Sequence, residues 1–185
     1  MNNIRKYEAK DKSNLRKICF ETSSIPTDTK EDREFLYLMF NDYYSEVEPE
    51  NVFVAVDEND EAVGYILCAE NFDRYHSVFK KYYLPRIRKL GFKYYVMALG
   101  EIEIHKFFSK KFKAHLHIDI LSQCQGKGTG TALMNELKVH LKTKGINSVM
   151  LSCGAGNKLA IKFYKKNNFR LHKNVFGSCI MVCDF

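Results

Sequence analysis

The stretch that decides the fold is Gln125-Gly126-Lys127-Gly128-Thr129-Gly130-Thr131-Ala132-Leu133-Met134. An alternating run, Ala114–Leu121 (AHLHIDIL), precedes it and reads as a strand. A long apolar-periodic segment follows it to about Lys144 and reads as a helix, with Gly145 as its stop. Three glycines at alternate positions of a strand-to-helix turn let the main chain approach a ligand with no Cβ in the way. The N–H groups of the loop and of the helix N-terminus then form an anion site, to which Lys127 adds charge. Phosphate oxygens are the natural guest, and a plain tight turn needs fewer glycines.

Working outward, Ser148–Cys153 (SVMLSC) reads as a buried strand and Lys158–Asn167 as a helix. Phe169–Val175 and Ser178–Cys183 read as a closing hairpin around Gly177. On the N-terminal side, Asn3–Glu8 alternates weakly and is a candidate first strand. Asp11–Thr22 carries Leu15, Ile18 and Cys19 at helical spacing, and Lys30–Tyr44 is a second amphipathic helix. Ser23–Thr29 between them is a loop punctuated by Pro26. Val52–Asp57 and Ala62–Ala69 are β-rich runs joined by the polar turn Glu58–Glu61. The segment Asn71–Lys113 is aromatic-rich and gives only two short helices, Phe72–Lys81 and Tyr83–Leu90, with Gly91 as a stop. Strands alternating with helices, the middle strands parallel, make an α/β domain spanning 1–185.

At 185 residues and 45% hydrophobic the chain is one domain with an ample core. A charged fraction of 28% and a mean hydropathy of −0.34 exclude a disordered or membrane-embedded chain. No apolar run approaches the ~20 residues that span a bilayer. The net charge of +7 points to an anionic partner without choosing one. Six cysteines without a C-x-x-C pair, and no histidines at zinc-finger spacing, give no metal site. The polar N-terminus carries no signal or transit pattern, so a cytoplasmic protein with reduced thiols is expected.

Two phosphate-binding motifs fail. G-x-x-x-x-G-K-[ST] is absent, because Gly128 follows Lys127 and Leu121 stands five before Gly126. G-x-G-x-x-G/A is absent too. The third site is Thr131 or Leu133 in this loop, and Leu159 in the second candidate, Gly154-Ala155-Gly156. What remains is Q/R-x-x-G-x-G/A after an apolar strand, met by Gln125, Gly128 and Gly130. Downstream stand Asn157, Ala160, Phe163, Tyr164, Lys166 and Phe169 in the order N-x-x-A-x-x-F-Y-x-K-x-x-F. In both stretches the chain resembles the GNAT superfamily of N-acetyltransferases. The resemblance is specific over 114–171, plausible over 3–69 and silent over 71–113.

The resemblance implies a central mixed, mostly antiparallel sheet flanked by helices, with a parallel splayed pair of strands at the acetyl-CoA site. It implies acetyl-CoA as donor and a primary amine as acceptor. Gln125, Gly126, Lys127, Gly128, Thr129, Gly130 and Thr131 would hold the pyrophosphate, with Asn157 and Lys166 further contacts. The backbone at Ile118 and Ile120 would hold the pantetheine arm, and Tyr164 would protonate the leaving thiolate. The residues agree in part. Asn157 opens a helix, and Tyr164 lies seven residues on, two turns along the same face. A phenol there is either a proton donor or a half-buried core aromatic.

The chain departs from the family at two places. Asn168 stands where Gly is usual. The Glu bases of relatives fall on Ser152 and Ala114, so neither is present. His115, His117 and Asp119 alternate on one face of their strand; they are either satisfied polar residues on a helix-covered face or, for Asp119 or His117, the candidate base acting through a water. Glu101 and Glu103 are further, unranked candidates. The basic-aromatic run His105–His115 is read as amphipathic, Phe107, Phe108 and Phe112 inward and lysines solvated, rather than as a nucleic-acid surface. A non-catalytic acyl-CoA-binding domain stays open, as does a homodimer.

Overall fold

The computed structural model describes residues 3–25 and 27–185; the punctuation expected at Pro26 lies outside the described residues. Seven strands form one sheet in the order β1-β2-β3-β4-β5-β7-β6. They are β1 (Asn3–Lys6), β2 (Val52–Val56), β3 (Ala62–Ala69), β4 (Ala114–Ile120), β5 (Ser148–Gly154), β6 (Arg170–Val175) and β7 (Ser178–Asp184). Every pairing is antiparallel except β4 with β5, so the expected mixed sheet with one parallel pair is what the chain forms. The first strand ends two residues earlier than its alternation suggests, because a short 3-10 turn at Ala9–Asp11 follows it.

Helices cover both faces. On one lie α1 (Lys12–Thr22), α2 (Lys30–Phe40), α3 (Asp42–Val47), α4 (Phe72–Val78), α5 (Leu84–Leu90) and α6 (Phe92–Ser109). On the other lie α7 (Thr129–Thr143) and α8 (Lys158–Lys166). Cover on both sides is why β2 and β3 are buried at every residue and read as unbroken apolar runs. Side chains alternate between these faces. His115, His117 and Asp119 of β4 point to the α1–α6 side, where His115 meets Tyr44 and Tyr75. Ile118 and Ile120 point to the α7–α8 side.

The single helix expected over Lys30–Tyr44 is two. Asn41 breaks it at φ −135°, ψ −58°, with its amide donating to the Leu15 carbonyl at 3.4 Å. A buried Asn that bonds elsewhere competes with the helical ladder. The turn sets Asp42 against Arg16, in a two-pronged pair of 2.9 and 2.5 Å. The middle segment is more helical than its sequence suggests. The two short helices there run together through a wide π turn at Phe79–Tyr83. Pro85, at the second residue of α5, has no N–H to serve the turn before it, and a wider turn absorbs that loss. Helix α6 escapes periodicity because it is apolar on several sides at once. Phe108 and Phe112 are buried under it as expected, against Met150, Ile180 and Val182. Phe107 is 70% exposed, which corrects its inward placement. No helix among the described residues is long and apolar enough to cross a membrane.

Candidate active site

The parallel pair is short. Only Ala114↔Val149 and His115↔Met150 are in register, and beyond them β4 and β5 part. Leu121 donates its N–H to Val63 at 3.0 Å, which fixes the parity of the β3–β4 ladder. Odd residues of β4 bond to β3, so the main-chain groups of Leu116, Ile118 and Ile120 face the gap. The side-chain amide of Gln125 reaches one of them, donating to the Ile120 carbonyl at 2.8 Å. Gln125 therefore braces the loop against the strand end.

The three glycines of the loop divide their work. Gly126 at φ +75° and Gly128 at φ +86° hold left-handed conformations, with nothing within 4 Å of where a Cβ would stand. They leave an open cradle at the first turn of α7. Gly130 is different. A Cβ there would lie 2.9 Å from the Phe163 ring and 3.1 Å from Ile120. Its missing side chain lets α8 seat closely against α7. At the far end, Lys138 clamps the same two helices by donating to the Asn167 carbonyl at 2.7 Å. Lys127 is exposed, Thr131 half-buried, and Thr129 buried, with its hydroxyl 3.4 Å from the Cys124 carbonyl.

Asn157 caps α8, its Oδ1 accepting from the Ala160 N–H at 3.0 Å. The other end is a Schellman motif. Phe169 N–H bonds the Tyr164 carbonyl at 3.0 Å, and Asn168 N–H bonds the Lys165 carbonyl at 3.1 Å. Asn168 sits at φ +68°, so it takes the left-handed position a Gly usually fills there. The Tyr164 and Phe169 rings close the motif at 5.8 Å. Tyr164 is thus fixed by helix-ending geometry, buried, and its hydroxyl bonds no described residue. Lys166 is exposed in the last turn of α8, three residues beyond the Phe163 that packs on Gly130.

Asp119 lies on the opposite face of β4 from Ile118 and Ile120, beside the splay. Tyr65, its cross-strand partner, donates to Asp119 Oδ2 at 2.6 Å. Burial raises the Asp119 carboxyl above its ordinary value, against that hydrogen bond and the neighbouring Thr22 hydroxyl. Burial also raises the Tyr164 phenol, with Asp119 and Cys153 as nearby negative groups. The other candidate bases are elsewhere. His115 is buried and bonded to Tyr44 Oη at 3.0 Å. His117 packs on Phe40 and Tyr44, and burial holds it down to about 3. Glu101 lies 3.4 Å from His105, and Glu103 3.8 Å from Lys106, both on α6. Sequence reasoning missed Tyr65, which sits in an unbroken apolar strand and reads as core. Among the described residues no cluster of side chains suits a metal ion.

A family model described as "Acetyltransferase (GNAT) family" matches residues 14–169. The protein named SsHAT shares the fold at TM-score 0.88 and 25% identity, over 98% of this chain and 97% of its own. PaiA N-acetyltransferase from Thermoplasma acidophilum, solved in complex with coenzyme A, superposes at TM-score 0.64 with 16% identity, over 100% and 99%. An agmatine N-acetyltransferase mutant superposes at 0.67 with 14% identity, over 99% of each chain. With splayed strands, a glycine cradle and a match over most of its length, the chain belongs to the GNAT family of acetyltransferases.

Proposed function

We propose that this chain transfers the acetyl group of acetyl-CoA to a primary amine. The observation that carries the reading is the parting of β4 from β5 after two registered pairs, with the open glycine cradle following the end of β4. The cradle at Gly126 and Gly128 suits a pyrophosphate, and the gap-facing N–H and C=O groups of Ile118 and Ile120 suit the amides of a pantetheine arm. Bound there, acetyl-CoA supplies an acetyl group on an activated thioester.

The chain's own residues then divide the chemistry. Asp119, raised by burial, takes a proton from the acceptor ammonium on the α1 side, directly or through one water. The amine so freed attacks the thioester carbonyl. Gap-facing N–H groups of β4 hold the carbonyl oxygen as charge builds on it. Tyr164, kept protonated by burial, gives its proton to the departing sulfur on the α8 side, and the second proton shed by the nitrogen as the amide forms passes through solvent to restore the phenol. Six unpaired cysteines suit a reducing compartment such as the cytoplasm.

One observation favours a second reading, a non-catalytic acyl-CoA-binding domain: Tyr65 already occupies one oxygen of Asp119, the acid proposed as base. Calorimetry with CoA followed by acetyl-transfer assays over an amine panel separates the two. Binding with turnover supports the enzyme, and binding without turnover of any amine supports the second reading. No binding sinks both.

A further inference from the structure

Helix α6 buries Tyr94, Ala98, Ile102, His105 and Phe108 on one side, and its opposite side carries large apolar residues between Lys93 and Glu103. Phe92 and Phe107 are 77% and 70% exposed, and Val96 and Met97 about half so, at 51% and 48%. Gly100 lies among them with nothing within 4 Å of its Cβ direction. Large apolar side chains grouped on an exposed helix face and set among charges mark an interaction surface.

We propose that the same face of a second copy of this chain covers it, the two α6 helices crossing antiparallel about a two-fold axis at the level of Ala98. The charges argue for self-association. Lys93, Val96, Gly100 and Glu103 follow one another at helical spacings of 3, 4 and 3 and share the exposed side. Reversed about Ala98, the pattern maps onto itself with the charge sign exchanged. Each Lys93 then faces the other copy's Glu103, and each Val96 enters the space over the other copy's Gly100. A two-fold interface requires this reciprocity. A bare glycine at the crossing lets the helices approach closely. Phe92 and Phe107 extend the apolar strip to both sides. Within the chain Lys93 lies 3.5 Å from Asp32 and over the Tyr94 ring at 4.4 Å, and Glu103 lies 3.8 Å from Lys106; both keep exposed side chains. Such pairs are worth little and re-form at little cost.

Sedimentation of the full chain over a wide concentration range tests this independently of any catalytic role. A concentration-dependent dimer is expected. Glu103→Lys sets like charges together at two symmetric contacts and should weaken it about a hundredfold. The double exchange Lys93→Glu with Glu103→Lys should restore it, with circular dichroism unchanged throughout. A monomer at every concentration overturns the proposal. So does a dimer indifferent to Glu103→Lys, or a double variant no tighter than the single one.

Discussion

Asp119, on the α1 side of β4, helps hold up the phenol pKa of Tyr164, on α8 at the other face, beyond the point where β4 and β5 have parted. A proton acceptor on one side of a slot and a donor on the other suit a reaction in which one group enters and another leaves across it.

Tyr164→Phe keeps the ring, its contact with Phe169 and the Schellman closure, and deletes only the hydroxyl. The kcat for amine acetylation should fall by roughly 10²–10⁴, the usual worth of a positioned acid. Affinity for CoA should be unchanged, because the lost interaction develops as negative charge grows on sulfur. An unaltered kcat, with chemistry shown to limit the rate, would leave Tyr164 a packing residue.

Asp119→Asn should separate function from stability. The folded state holds the Asp119 proton to higher pH than the unfolded chain, so stability falls as pH rises through that window. Asn can still accept from Tyr65 and carries no buried charge. The variant should therefore be at least as stable as the parent near neutral pH, while kcat falls sharply and the acid limb of its pH profile disappears. Matched thermal melts and pH–rate curves check both halves.

The glycines should respond differently. Gly128→Val forces a β-branched residue to φ +86°, a strain of about 1–2 kcal/mol or more, and intrudes on the cradle. CoA affinity measured by calorimetry should drop tenfold or more, beside a loss of a few degrees in melting temperature from the strain. Gly130→Ala drives a methyl into the Phe163 ring and should cost about 1–3 kcal/mol of stability by overpacking. Equal effects of the two on both measurements would argue against this division.

Asn168→Gly should be neutral or stabilising, since it restores the residue least strained at φ +68°. Asn168→Val should destabilise the helix end and lower kcat, because Tyr164 hangs from that motif. A Val variant that melts and turns over like the parent would refute the link.

Burial lowers His115 well below its ordinary value and holds His117 down to about 3. Unfolded histidines bind protons from about pH 6.5 downward and these do not, so stability is full above 6.5 and is lost as pH falls toward 3. Each contributes up to about 1.4 kcal/mol per pH unit within that window. His117→Phe, which suits the Phe40 and Tyr44 edges, should flatten the dependence by one such step in urea titrations from pH 7 to 5. An undiminished slope would count against it.

The cradle, α7, β5 and α8 were legible because backbone demands wrote them: glycines where φ turns positive, Asn157 at a cap, Asn168 at a helix end. The strands β2 and β3 were legible as apolar runs. Helix α6 was not, since an apolar residue on nearly every side leaves no 3.6-residue stripe to read. Asn41 hid the end of α2, because nothing local says its amide will find Leu15. Tyr65 was invisible as a site residue for a related reason. Its hydroxyl matters only through Asp119, 54 positions away and reached by strand pairing alone.

Because β4 and β5 share only two registered pairs, the sheet is two leaves, β1–β4 and β5–β7–β6, meeting at an internal edge. An edge strand asks for a neighbour that offers donors and acceptors at peptide-like spacing. A ligand with amides along an extended arm can serve as a guest strand there, and a plain hydrocarbon of equal length cannot. On the proposed function, the seam would select for the arm of a donor before any side chain inspects what the arm carries, and its amides should exchange with solvent more slowly once such a guest is laid in.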